Sequence, residues 1–397
     1  MNKTILIFGA GQNQLTLIKA ANELGLKAVV IDPNHDAPGK EMADIFEVVE
    51  PNDYEATKKI AIKYNVDGIV TSQMENPLRL MAKLAEEMGY IFPSVETIEK
   101  TRNKFLMKKA FQANNIPCAK GLLIPEDQEI TQEALQSFKY PLIIKPADAH
   151  SSRGVFCIKS FNELLRYRDI TQNYASDKSV IIEEFIEGNE LSIEAITYQG
   201  ETHVIQYTQK IITDFPHTVE LGHMQPANLS DTQKEAIDEV VSKAIGAFGI
   251  ENSATHTELK LTLEGPKIIE IGARLGGDFI SSYLTLSSTG VNMDKAAIQV
   301  ALGQQPELDA TRNNFSFIQY LQLQPNQKVC KVDDWRDILK EDGVVTAGLN
   351  IKTGYVISPI EHSALRPGYV LVQGVSKSDV EQKANLNLSR LKNKIYF

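Results

Sequence analysis

Over the first 95 residues or so, short apolar runs alternate with amphipathic helical stretches, the pattern of a parallel sheet whose strands are covered on both faces. Residues 4–8 and Ala28–Asp32 read as strands around a helix reaching Leu24. Ile45–Val49 and Gly68–Thr71 read as two more strands, with helices at Tyr54–Tyr64 and Pro77–Met88. These β-α-β units predict a doubly wound parallel sheet over residues 1–97. A helix with a basic side is predicted from Val95 to Asn114, where Ile116-Pro117 stops it. The pattern then changes. Strands at Pro141–Lys145, Val155–Lys159 and Val180–Phe185 around one helix predict a compact α+β unit. A hairpin turning at Gln199-Gly200, a helix over Asp231–Phe248 and a second hairpin turning at Glu264-Gly265 follow. Beyond residue 305, strands alternate with turns as far as a helix at Ser376–Leu391. The expectation is a multidomain α/β and α+β protein.

Charge narrows the function classes. The 397 residues carry 41 Lys and Arg against 51 Asp and Glu, a formal charge of −10, which argues against nucleic acid as the main partner. At 43% hydrophobic and 23% charged residues, the composition is that of a globular protein with a substantial core. No stretch approaches the roughly 18 continuous apolar residues of a membrane span, and the first apolar run is too short for a signal sequence. A cytoplasmic protein without membrane contact is expected. Cys118, Cys157 and Cys330 are widely spaced and odd in number, so they read as ordinary thiols.

Gly9-x-Gly11 after the first strand, with Asp32 closing the second, outlines a dinucleotide fingerprint, but Gln14 stands where the third glycine belongs. Three readings stay open here: a nicotinamide cofactor, a plain strand-to-helix turn, or a loop touching another substrate.

The most informative segment is the second hairpin. Strand alternation puts Leu259, Leu261 and Leu263 on one face with Ile269, Ile271 and Ala273. His256, Glu258 and Lys260 occupy the other face, with Glu270, Gly272 and Arg274 on the return strand. A turn centred near Glu264 sets Glu258 across from Glu270, with Cβ atoms roughly 4.5–5.5 Å apart. Two carboxylates so placed repel, and a hard cation such as Mg²⁺, shared with substrate phosphates, suits them. Alternatively, Lys260 and Arg274 neutralise the pair, or a one-residue slip separates it. Upstream, Lys145 interrupts an apolar strand before the small-residue loop Ala147–Gly154, a combination suited to phosphate. The strand ending in Glu183-Glu184-Phe185-Ile186 leaves through an acidic turn to Glu190.

In this order, the pieces resemble the ATP-grasp superfamily of carboxylate-amine ligases over nearly the whole chain. The resemblance implies a pre-ATP-grasp domain at 1–97 and an ATP-grasp domain at 98–305 with a lid at about 118–184. A C-terminal α+β region at 306–397 would complete the core. It implies ATP as cofactor with Mg²⁺, or Mn²⁺ in its place. Lys104 and Lys145 are implied as phosphate lysines, Ser151, Ser152 and Gly154 as the closing loop, Glu183, Glu184 and Ile186 as the adenine segment, and Glu190 as the ribose acid. Glu258 and Glu270 are the implied metal ligands, and Arg274 holds the acyl phosphate. Many members read Glu-x-Asn-x-Arg, whereas this chain has Glu270-Ile-Gly272-Ala-Arg274, so a third metal ligand is missing from its usual place.

The implied reaction is attack of a carboxylate on the γ-phosphate of ATP, then capture of the acyl phosphate by an amine. Ala254-Thr-His-Thr-Glu258 and Glu220-Leu-Gly-His223 look most like the L-amino-acid ligases, which makes Glu75, Glu220, His223 and Asp278 substrate residues. Asp278 stands where some dipeptide ligases have a bulky residue, and an acid there is expected to admit a larger or cationic partner. A homodimer is also an expectation. A purine-pathway ligase of the phosphoribosylglycinamide synthetase type, an NAD-binding oxidoreductase and a non-catalytic nucleotide sensor are the alternatives.

Overall fold

The computed structural model describes residues 3–149, 153–213 and 219–397. Strands β1 (Thr4–Phe8), β2 (Lys27–Asp32), β3 (Ile45–Val48) and β4 (Gly68–Thr71) form a parallel sheet in the order β3-β2-β1-β4. Helices α1 (Leu15–Glu23), α2 (Tyr54–Lys63) and α3 (Leu78–Met88) cover it. Every residue of β1 is buried, as a strand covered on both faces requires. Asp53 caps α2 by accepting from Ala56 N at 2.9 Å, and Gly89, in the left-handed region, ends α3.

The single helix expected over Val95–Asn114 is two helices, α4 (Val95–Arg102) and α5 (Lys104–Ala113). Asn103 breaks it. Its extended backbone lets the side chain accept from both Phe105 N and Leu106 N at 3.0 Å, while Lys104 N donates to Ala147 O at 2.9 Å. The short polar side chain thus offers the backbone an alternative to continuing the helix.

Next comes a four-stranded antiparallel sheet of β5 (Gly121–Ile124), β6 (Leu142–Pro146), β7 (Phe156–Ile158) and β8 (Val180–Glu184), in the order β5-β8-β6-β7. Helix α6 (Phe161–Gln172) packs on it around a core of its own that includes Ile124, Leu142, Ile144, Phe156 and Leu164.

The largest element is an eight-stranded antiparallel sheet. It contains β9 (Asn189–Tyr198), β10 (Glu201–Ile212), β11 (Glu220–Gln225), β12 (Ser253–Thr262) and β13 (Gly265–Gly272). Helix α7 (Asp231–Ala247), started by a Ser230/Gln233 capping box, lies against it. After α8 (Thr285–Thr289) and α9 (Met293–Ala301), β14 (Phe315–Tyr320) pairs with β11. A short strand β15 (Lys331–Val332) precedes β16 (Val344–Leu349) and β17 (Gly368–Gly374), which extend the sheet to the order β13-β12-β9-β10-β11-β14-β17-β16. Helix α10 (Lys377–Lys392) packs on β14 and β17, and β18 (Ile395–Tyr396) pairs with β15. One continuous core joins the first sheet, α4, α5 and the large sheet through Leu6, Ile98, Phe111, Ile193, Phe248 and Leu259.

The β12–β13 hairpin differs from the simple alternation in one respect. Glu258 does pair with Glu270, but the register shifts by one residue immediately after, so that Leu259 faces Ile268. This bulge sends Ile268 into the core in place of Ile269, which instead lines a cavity. Leu263, expected on the apolar face, is a turn residue and fully exposed. The three cysteines are free thiols, as expected.

In the first turn of α9, Asp294 is buried beside Thr16, and burial pushes its carboxyl up to about 6 from an ordinary value of 3.8. A raised acid costs stability once it ionises, so this contribution is lost as pH climbs from about 4 to about 6. Asp294→Asn should raise unfolding free energy at pH 7 by about 1–3 kcal/mol and flatten the pH dependence over that window. Denaturant titrations at pH 4, 5, 6 and 7 measure this, and an unchanged slope would contradict it.

Candidate active site

The hairpin bulge fixes the centre of the site. Glu258 and Glu270 stand directly opposite each other, and each has its own cations. Lys210 Nζ on β10 lies 2.9 Å from Glu258 Oε1, and His256 Nε2 lies 3.5 Å from the same oxygen. Lys104 Nζ lies 3.1 Å from Glu270 Oε2. Burial alone would raise both carboxyls. Lys210 and His256 hold Glu258 well below the usual carboxylate range, and Lys104 lowers Glu270. His256 is itself anchored by buried Glu194, whose Oε1 lies 2.5 Å from Nδ1, and against the effect of burial this lifts the imidazole to about 9. Ser281 Oγ donates to the other oxygen of Glu194 at 2.8 Å and accepts from Gly276 N at 2.7 Å.

Two facing, ionised carboxylates fit a hard divalent cation that also takes phosphate oxygens. Among the described residues no group of three or more His, Cys, Asp or Glu side chains could hold a metal alone. Gly272 contributes no side-chain oxygen. A Cβ at that position would lie 3.5 Å from Glu75 Oε1 and from the Arg274 side chain, which fill the adjoining space.

On one side of the pair lies a cavity of about 180 Å³ between the four-stranded and the eight-stranded sheets. Lys145 Nζ from β6 reaches Glu183 Oε2 on β8 at 2.7 Å, and Lys108 Nζ from α5 reaches Glu183 Oε1 at 3.0 Å. Burial lowers Lys145, and the two lysines keep Glu183 ionised in spite of burial. Glu184, Ile186 and Glu190 line the same cavity. Glu190 is paired with Lys210 at 2.9 Å and Lys260 at 2.8 Å. Lys104 also donates to Ala149 O at 2.8 Å, which ties it to the small-residue loop. Gly154 has φ of +70°, and a Cβ there would come within 2.6 Å of the Tyr174 ring, so only glycine fits this turn. Ser151 and Ser152 lie outside the described residues.

On the other side opens a cavity of about 920 Å³, lined by Glu75, Glu220, His223, Arg274 and Asp278 among others. Arg274 Nε donates to Glu75 Oε1 at 2.5 Å, and its Nη1 donates to Leu275 O at 2.9 Å. Gln12 and Asn13, just beyond the glycine turn, also border this cavity. Asp32 itself accepts from Ala10 N at 2.8 Å and Asn34 N at 2.8 Å, so its carboxylate braces the glycine loop.

The sequence expectation for Asp278 needs correction. Its carboxylate is held in a fork by Arg366, at 2.7 and 2.6 Å, and lies 3.1 Å from His223 Nε2. Despite burial, that pairing keeps its carboxyl far below the ordinary range. The acid is therefore already spent on an internal cation rather than open to a cationic partner. Arg366 also stacks over Tyr320, 3.6 Å from the ring centroid. Asp278 and Phe279 both have positive φ, 51° and 63°, local strain of the kind that gathers at functional sites.

Sequence reasoning missed Lys108, Lys210 and Arg366. Lys108 was within reach, four residues after Lys104 and so on the same helix face. Lys210 carries the signal that Lys145 does, a lysine in a strand leading into apolar Ile211-Ile212. Arg366 meets Asp278 only through the pairing of strands far apart in the chain.

Residues 1–101 match the ribonucleotide synthetase preATP-grasp domain and residues 138–282 the ATP-grasp domain. The chain is 30% identical over 267 residues to alanine–anticapsin ligase of Bacillus subtilis, an alignment covering 62% of this chain and 53% of that one. It is 26% identical over 310 residues to formate-dependent phosphoribosylglycinamide formyltransferase of Prochlorococcus marinus, covering 76% and 77%. The crystal structure of L-amino acid ligase from Bacillus licheniformis superposes with a TM-score of 0.83 at 25% identity, over 99% of this chain and 98% of that one. The chain spans about half the length of the alanine–anticapsin ligases it matches. Among the described residues no helix is long and apolar enough to cross a membrane. The two consecutive domain matches, the superposed fold and the paired sheets around one cavity lead to one conclusion: the chain carries an ATP-grasp domain preceded by a preATP-grasp domain.

Proposed function

We propose that the protein is an ADP-forming carboxylate-amine ligase that joins the carboxylate of an amino acid to an amine through an acyl phosphate. The observation that carries this reading is the wall shared by the two cavities: Glu258, Glu270, Glu220 and Lys210 each border both. A phosphoryl group bound on one side can therefore meet a carboxylate bound on the other.

In this reading Lys104 and Lys145 hold the nucleotide phosphates, and Glu184, Ile186 and Glu190 meet the nucleoside. The buried Glu183 is a counter-ion that keeps Lys145 and Lys108 aligned. Glu258 and Glu270 would hold Mg²⁺, which neutralises charge on the phosphates when bound. A substrate carboxylate oxygen forms a bond to the γ-phosphorus as the bond to the β–γ bridging oxygen breaks, and the electron pair leaves with ADP. Arg274, steadied by Glu75, faces the resulting acyl phosphate. The amine nitrogen then bonds to the acyl carbon, phosphate departs with the C–O electron pair, and the amine proton is lost. The work of the protein is positioning and charge neutralisation. Glu220 and His223 suit the amino-acid end, and the similarity to alanine–anticapsin ligase and L-amino acid ligase supports that substrate class.

The similarity to phosphoribosylglycinamide formyltransferase supports a second reading, a purine-pathway ligase. It is less favoured because Arg366, a cation on the substrate side, is engaged by Asp278.

A screen of phosphate release from MgATP with amino acids singly and in pairs, read with mass detection of the condensed product, tests the assignment. Amino-acid-dependent release with a product one water lighter than the pair is expected; ATP binding without such release would end this reading. Glu270→Gln should cut turnover by about 100-fold or more, because one anionic ligand and the partner of Lys104 are lost. Its melting temperature should stay near that of the parent, since the change relieves repulsion with Glu258. Parental turnover in this variant would remove Glu270 from the mechanism.

A further inference from the structure

We propose that the cleft between α3 and α4 is a second anion site, outside the reacting centre, that takes a phosphate group. A cavity of about 810 Å³ lies there, bordered also by the start of α2. None of Lys104, Lys145, Glu258, Glu270 or Arg274 lines it. Among the described residues its wall has three cations and no acid. Arg79 and Lys83 stand four residues apart on α3, and so on one face, and Arg102 ends α4.

Two of these cations are uncommitted. Arg102 Nε is shielded from solvent without a hydrogen-bond partner, and among the described residues neither Arg102 nor Lys83 has an ion pair. Lys83 instead lies 3.9 Å from the centroid of the Tyr54 ring. The acids nearby are already engaged. Glu99 Oε1 lies 2.7 Å from Arg79 Nε, Glu87 is held by Lys58 and the Tyr54 hydroxyl, and Glu86 accepts from Val95 N at 2.9 Å. The N-terminus of α3 adds to the positive field: Pro77 at its cap supplies no side-chain acceptor, no acid stands in its first turn, and Asn76 and Leu80 place that end on the cavity wall. Guanidinium and ammonium groups beside a helix N-terminus suit a phosphate dianion better than a monocarboxylate, which brings one charge and two oxygens. Leu80, Val95 and Tyr54 give the same cavity an apolar part, against which the organic body of a phosphate monoester can lie.

Asn76 borders both this cavity and the substrate-side one, so a test has to separate them. The whole protein is first saturated with the Mg complex of a non-hydrolysable ATP analogue, then titrated calorimetrically at about 0.15 M salt with inorganic phosphate, phenyl phosphate and acetate. No second substrate is needed, so the result stands apart from the ligase reading. Saturable phosphate binding is expected, weakened about tenfold by Lys83→Met and by Arg102→Met. Lys83 is exposed, so its variant should keep the parental melting temperature and guards against a folding defect in Arg102→Met. Tighter binding of phenyl phosphate than of inorganic phosphate would make the occupant an organic phosphate; equal or weaker binding would make it free phosphate, the product of the reaction proposed above. Acetate binding as tight as phosphate, no saturable binding, or binding that neither variant weakens would overturn the proposal.

Discussion

Two carboxylates facing each other across a pair of antiparallel strands are the constraint around which this molecule is arranged. At about 5 Å and an effective dielectric constant near 20, two like charges repel by about 3 kcal/mol. Without compensation the hairpin would relax its register or protonate one acid. Compensation comes from several elements at once: Lys104 opens α5, Lys210 stands on β10, and His256 lies two residues before Glu258 on β12. The break between α4 and α5 follows from the same demand. By ending one helix at Arg102 and starting another at Lys104, the chain places a lysine at the first position of a helix, with its ammonium 3.1 Å from Glu270. A cation at that end weakens the helix and strengthens the site.

Much of this was legible in residue patterns. The parallel N-terminal sheet followed from apolar runs, since strands buried on both faces leave no ambiguity of face. The Glu258–Glu270 pairing followed from strand alternation and turn position, because the bulge falls just after the pair and leaves it intact. Ile269 was misread for the same reason: a bulge has no signature in simple alternation, yet it inverts every face on its far side. The Asp278–Arg366 fork was invisible because nothing local to either residue predicts that β17 packs beside the sheet region reached by the loop after Arg274. Likewise, a helix over 95–114 is what amphipathic spacing suggests, and only the tertiary bond from Lys104 N to Ala147 O makes the break worthwhile.

The loop after β13 is bound to the hairpin from behind. Glu194 accepts from both His256 and Ser281, while Gly276 passes so close that a methyl group there would sit 2.5 Å from the Glu194 carboxylate. Glu258, His256, Glu194, Ser281 and the Gly276 N–H thus form one buried polar chain that ties the hairpin to the loop after β13.

The four-stranded sheet has a separate core, drawn entirely from its own residues, whereas the chain before and after it shares one continuous core. In packing terms it is an insertion, attached by two crossings of the chain. The first is stitched to β13, where Ile268 N donates to Pro117 O at 2.8 Å and Cys118 bridges to Ile268. The second presses Gly188 against β12, so close that a Cβ would lie 2.4 Å from Leu261 O. Both attachments fall on the hairpin that carries the two glutamates. With the bonds of Lys104 to Ala147 O and Ala149 O, these attachments fasten the inserted sheet to the rest of the chain at the end nearest the two acids.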